Sequence, residues 1–333
     1  MTTKLSGEVA LAEYVGKAKA KVYAIFKTLK VLGKFTISLF FKLFDAQVVP
    51  SILYASEVWG LVPYDLAESV HTFACKRLLG VRKQTPNHYI YGETGRFPIW
   101  IESKIRAVKY WYKIMNMQED RLPRLAFERE KLENKNHHNW AMKVKQLLEQ
   151  TGYAYMWELG PVVSEGTFVR VLRQRMRDNF MQSWTEKGNQ CTKFNIYTSI
   201  KANFGTEIYL ESINIAKFRI AYARIRTSTS YLHINRRLIH PDANIKCPFC
   251  DEDETEMHFL TVCKIYDGLR IKYLNKHFQN LTRVNLSQIL ANANEEIIKS
   301  VAMFVFYGLK WRSDRIRQIQ LQKKITQSIN NRA

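Results

Sequence analysis

Hydrophobic positions recur along most of this chain at helical spacing. Between residues 9 and 31, Ala18, Val22, Ile25 and Leu29 follow one another at alternating steps of four and three. That spacing stacks them on one helix face, with Lys17, Lys19, Lys21 and Lys27 falling largely elsewhere. Residues 38–60 are apolar nearly all round, the pattern of a helix buried among others; Pro50 should kink or interrupt it, because proline has no amide for the helix ladder. Asp65 can cap a further helix carrying Leu66, Val70, Phe73, Ala74 and Leu78, with Gly80 as its stop. Residues 82–98 hold two prolines and two glycines and predict an ordered loop. Beyond them Ile101, Ile105, Val108, Tyr112 and Met115 mark another helix face.

Residues 117–139 are polar and dense in charge, ending in Asn134, Lys135, Asn136, His137, His138 and Asn139, and predict a linker or exposed hairpin. Adjacent histidines in such a run are read as solvated rather than as metal ligands. Helices are expected again at 167–185 and 300–328. With 46% hydrophobic residues, only 14 Gly and 8 Pro, the chain should fold, and it should be mainly α. The expected division is a multi-helix domain over 1–116, a linker over 117–139, a basic helical region over 140–240, a small metal knuckle over 241–270 and C-terminal helices over 271–333.

Charge narrows the function. Lys and Arg outnumber Asp and Glu by 51 to 30, a formal +21, which points to a polyanionic partner, either nucleic acid or an acidic membrane surface. No run approaches the ~18 apolar residues that span a bilayer, and the N-terminus lacks the features of a signal or transit peptide, so an intracellular protein is expected. Residues 212–241 contain Lys217, Arg219, Arg224, Arg226, Arg236 and Arg237 and no Asp or Glu. Phe218, Tyr222 and Ile225 are spaced as one core-facing helix face, which would leave the arginines outward, toward phosphates. The candidate nucleic-acid contacts are therefore Arg170, Arg173, Arg175, Arg219, Arg224, Arg226, Arg236 and Arg237.

The sharpest local pattern is Cys247-Pro248-Phe249-Cys250, with His258 and Cys263 after it. Two cysteines two residues apart on a tight turn can share one metal, and the later His and Cys complete a tetrahedral N/S set suited to Zn²⁺. All four positions then belong to the protein, the mark of a structural site, since a catalytic zinc keeps one position for water. The acidic run Asp251, Glu252, Asp253, Glu254 and Glu256 between the ligands is expected to be the solvated tip of this loop. Catalytic patterns are scarce. No Asp-Asp pair occurs to hold two Mg²⁺ ions. Pro241-Asp242 fits a turn, and Gly92-x-x-Gly95 lacks the surroundings of a nucleotide loop.

Several segments together resemble a known family. Lys42–Gly60 (KLFDAQVVPSILYASEVWG) is similar to the segment that follows the palm in LINE-type (non-LTR) retrotransposon reverse transcriptases. Phe73–Val81 (FACKRLLGV), Thr85-Pro86-Asn87, Tyr91-Gly92-Glu93 and Gly95-Arg96-Phe97-Pro98 continue the resemblance in order. Met257-His258-Phe259-Leu260 with Cys263 resembles the family's C-terminal zinc knuckle. The resemblance implies a thumb over residues 1–115, which grips a template–primer duplex, and an RNA- and DNA-binding segment from 140 onward, in the nucleus and cytoplasm. The family's palm, with its catalytic aspartates, has no counterpart here. The chain is thus expected to be a non-catalytic binding fragment holding a structural Zn²⁺, with RNA and DNA as partners and no membrane. Two alternatives stay open: part of an intact RNA-directed DNA polymerase whose palm lies upstream, or a zinc-knuckle module that binds protein.

Overall fold

A computed structural model describes residues 7–33, 35–62, 65–132, 139–190, 195–238, 240 and 242–330, leaving aside the side chains of 7–12, 66, 195, 237–238, 282, 326 and 328–330. Among the described residues the chain is mainly α, with 17 α-helices and no strand, and no helix is long and apolar enough to cross a membrane. It packs as two units, each discontinuous in sequence: residues 1–74 with 96–184, and 75–95 with 185–333.

In the first unit, helix Gly7–Val31 buries Val15, Ala18, Val22, Ile25 and Leu29, the stripe that its spacing predicts. The apolar run that follows is broken after Gln47, and Pro50 sits in the first turn of the next short helix, Val49–Ile52, where the missing amide costs nothing. Helix Ile99–Met115 starts after Pro98, and the Glu68 carboxylate accepts from the Ile99 amide at 2.8 Å, a negative charge on an unpaired helix-start donor. Its Ile101, Ile105, Val108 and Trp111 form one core with Phe127, Val144, Leu147, Leu148, Trp157, Phe168 and Leu172. Residues 140–184 therefore share a core with the helices before them. The polar stretch expected as a linker or exposed hairpin contains helix Leu122–Leu132, which buries Phe127; Asn139 then caps Trp140–Gln150 by accepting from the Met142 amide at 2.8 Å. His137 and His138 lie outside the described residues.

The second unit corrects the loop expected at 82–98. Residues Asn87–Thr94 are an α-helix, buried from His88 to its end. Residues that suggest a loop instead punctuate this helix: Pro86 stands just before the first turn, and Gly95, at φ 62°, just after the last. Gly80, at φ +65°, closes helix Asp65–Leu79 against Ile220, whose side chain would lie 2.6 Å from a Cβ at that position. Helix Ala216–Arg226 buries Phe218, Ala221, Tyr222, Ala223 and Ile225 and packs on the long helix Glu295–Asn330.

Candidate functional site

The knuckle is built within residues 245–263. Ile245 accepts from the Glu254 amide at 2.7 Å and Glu252 from the Cys247 amide at 2.6 Å, folding the segment back on itself around Cys247-Pro248-Phe249-Cys250. Asp251 turns the corner at φ 61°, a conformation open to Asp because its short side chain tolerates it. His258 and Cys263 are five residues apart, which on an α-helix would leave them about 140° out of register. The chain adopts a π turn over His258–Val262 instead, the Cys263 amide donating to the His258 carbonyl at 2.9 Å, and the two side chains come together.

The three sulfurs and a histidine nitrogen all lie within 4.8 Å of one another. Cys247 and Cys263 Sγ are 3.9 Å apart, Cys250 and Cys263 Sγ 3.8 Å, and Cys250 Sγ is 3.2 Å from His258 Nε2. A tetrahedral site with metal–sulfur bonds of about 2.3 Å has sulfur–sulfur edges of about 3.8 Å. The four residues thus have the size and donor set of a metal site. The imidazole is aimed from behind, because Glu252 Oε2 lies 3.1 Å from His258 Nδ1 and leaves Nε2 facing the sulfurs. Burial, ahead of the neighbouring sulfurs, pushes the Cys247 thiol up and that of Cys263 up to about 12, so these two favour the neutral thiol and binding a metal would release their protons.

The acidic run divides in two, which corrects its reading as one solvated tip. Asp251, Glu252 and Asp253 are exposed, whereas Glu254 and Glu256 are each 1% exposed. Arg312, on helix Glu295–Asn330, holds Glu254 with two bonds of 2.6 Å, and the His233 amide adds a third at 2.7 Å. Glu256 accepts from Asn235 Nδ2 at 2.8 Å, and burial raises its pKa. Phe249 meets Trp311 with ring centroids 5.4 Å apart, and Phe259 lies so near Gly308 that a Cβ there would fall 2.8 Å from its ring. The knuckle is thereby fixed to the long helix by an ion pair and by aromatic packing.

The arginines expected on a phosphate-facing surface have diverse fates. Arg170 and Arg236 are exposed, and the side chain of Arg237 lies outside the described residues. Arg173 is paired with Glu102 by bonds of 2.9 and 3.1 Å, while Arg175 donates to the Thr151 carbonyl and covers the Tyr153 ring at 4.6 Å. Arg219 and Arg226 are buried, contrary to expectation. Arg219 donates to the Ile213 carbonyl at 3.0 Å, and burial lowers its pKa. Arg226 meets the buried Glu93 carboxylate at 2.9 Å and Glu207 at 2.8 Å, and also donates to the Leu290 carbonyl. Burial works against its charge, and the two carboxylates outweigh that effect. Arg224 is half-buried and donates from Nε to the Gly80 carbonyl at 2.6 Å. For Arg226 the physical reason is that an acid-free segment need not face an acid-free environment: its carboxylates, Glu93 and Glu207, lie outside that segment. No local pattern announces them as its partners, or Arg312 as the partner of Glu254.

Set against known proteins, the chain matches no family model, no curated protein and no solved structure.

Proposed function

We propose that this chain binds RNA or DNA without catalysing a reaction on it, as the thumb and knuckle part of a LINE-type reverse transcriptase, with a structural Zn²⁺ at Cys247, Cys250, His258 and Cys263. The observation that carries the reading is the four-donor cluster, whose edges suit a small tetrahedral ion and whose three sulfurs and one imidazole are the donors zinc prefers. Bound there, the ion would supply no reactive position; it would hold the 245–263 segment folded. The surplus of 51 basic over 30 acidic residues supports a polyanionic partner even though several arginines are neutralised internally. The resemblance of residues 42–98 and 257–263 supplies the family.

Anisotropy titrations with single-stranded RNA, duplex RNA and duplex DNA at several salt concentrations test the reading. Binding to at least one of them should weaken steeply with salt, because phosphate contacts release counterions. Absence of salt-dependent binding to all three overturns it.

A further inference from the structure

Tyr231 stands out on three independent counts. It is a non-glycine residue at φ 71°, a left-handed conformation that bulky side chains rarely adopt. It is 51% exposed although its neighbours Ser230 and Leu232 are buried. And two guanidinium groups approach that ring: Arg82 at 4.3 Å from the centroid and Arg224 at 5.3 Å. Among the described residues neither arginine has a carboxylate partner, unlike Arg173, Arg226 and Arg312. Strain of this kind persists only where the surrounding structure imposes it, and here it turns a flat ring outward beside positive charge.

The surroundings do impose it. On one side the Gly80 turn is seated on Ile220, and the bond from Arg224 to the Gly80 carbonyl fixes the short distance to Arg82 and the exposed Lys83. On the other, the chain just past Tyr231 is tied to the knuckle. The His233 ring lies 2.5 Å from the Lys246 carbonyl, and the His233 amide donates to Glu254. Ser230 donates to Asn235, which donates to Glu256.

We infer that Tyr231, Arg82 and Arg224 form a binding site for an unpaired nucleotide, the ring and guanidinium planes stacking on the base and the arginine charge meeting its phosphate. A flat π surface beside delocalised cations matches the faces and backbone of a single strand, whereas a duplex hides its base faces. Because the knuckle holds the segment that carries Tyr231, the candidate metal site sets the geometry of this contact. The inference rests on the nucleic-acid reading above, and its test separates the two.

Tyr231→Gly removes the ring and relieves the backbone; the relief offsets the greater freedom of glycine in the unfolded chain, so the variant should melt close to the parent. With a mixed-sequence RNA strand as probe, its affinity should fall about 5- to 150-fold, the range of one lost base stack. Affinity for the duplex made from the same strand should hold, and Tyr231→Trp should restore single-strand binding. Arg82→Gln should flatten the log–log salt slope by about 0.7. If the parent binds the strand and Tyr231→Gly binds it equally well, the site is wrong and the nucleic-acid reading survives. If the parent binds no nucleic acid, both fall. Equal loss of strand and duplex with a lower melting temperature makes the ring a packing element, and Tyr231-dependent binding to anionic phospholipid vesicles in place of RNA makes the partner a membrane; either overturns the inference.

Discussion

The second unit contains two polar clusters that differ in how they are assembled. The knuckle draws its four donors from residues 247–263, and Glu252, which orients His258, comes from the same loop. The cluster around Arg226 draws Glu93 from 133 positions away, together with Glu207, Tyr197 and the Leu290 carbonyl. One is a local motif with fixed spacing and the other a convergence of distant segments. Locality decides what a sequence discloses. It does not decide how much energy is at stake, because a buried ion pair left half-made costs as much wherever its partners come from.

The largest effect should come from the local cluster. Cys250→Ser should take bound metal from one equivalent to none, since loss of one thiolate opens the tetrahedron. In isolated finger peptides the metal contributes about 10–16 kcal/mol to folding. Here the loss should appear as fast amide exchange confined to residues 245–263 and the 230–235 segment bonded to them. Full metal occupancy in the purified variant would remove the metal assignment.

Next comes the distributed cluster. Arg226→Met leaves Glu93, which is 0% exposed, without its cation, and the expected cost is about 3–5 kcal/mol in denaturant unfolding. Replacing Glu93 with Met as well should recover most of that loss, because a well-packed apolar pair carries no desolvation penalty. A cost below about 1 kcal/mol for the single change would mean the guanidinium is effectively solvated, and the burial of helix Ala216–Arg226 would need redrawing.

The same contrast explains what was legible in the chain. The helical stripe of Val22, Ile25 and Leu29, the interruption at Pro50 and the Cys/His spacing each depend on residues within a few turns of one another, and each is found in the structure. The helix Asn87–Thr94 is hidden in the sequence because Pro86 and Gly95, its start and stop, have the composition of a loop. Helical spacing assigns Phe218, Tyr222 and Ile225 to the core face and so turns Arg219 and Arg226 outward, whereas both are buried. The long helix Glu295–Asn330 packs on theirs, and Glu93, Glu207 and Leu290 reach Arg226 from distant segments, which helical spacing within one segment does not report. Glu254 looks solvated in sequence for the mirror-image reason, its partner Arg312 lying 58 positions further on.

The smallest effect joins the two kinds of order. Asn285 and Gln288 form a capping box at helix Leu286–Leu290: the Asn285 side chain accepts from the Gln288 amide at 2.9 Å, and the Gln288 side chain accepts from the Asn285 amide at 2.9 Å. Asn285→Ala should cost about 1 kcal/mol, the usual price of an N-cap. The helix ends at Leu290, whose carbonyl accepts from Tyr222 at 3.1 Å and from Arg226. A four-residue motif thus holds one acceptor of the distributed cluster in place. A double-mutant cycle of Asn285→Ala with Arg226→Met measures that link. Coupling of about 0.5 kcal/mol or more is expected, because a frayed helix costs less once the guanidinium it serves is gone. Strict additivity would mean that the Leu290 carbonyl is held by the burial of Ile289 and Leu290 alone, and that the local cap and the distant ion pairs act independently.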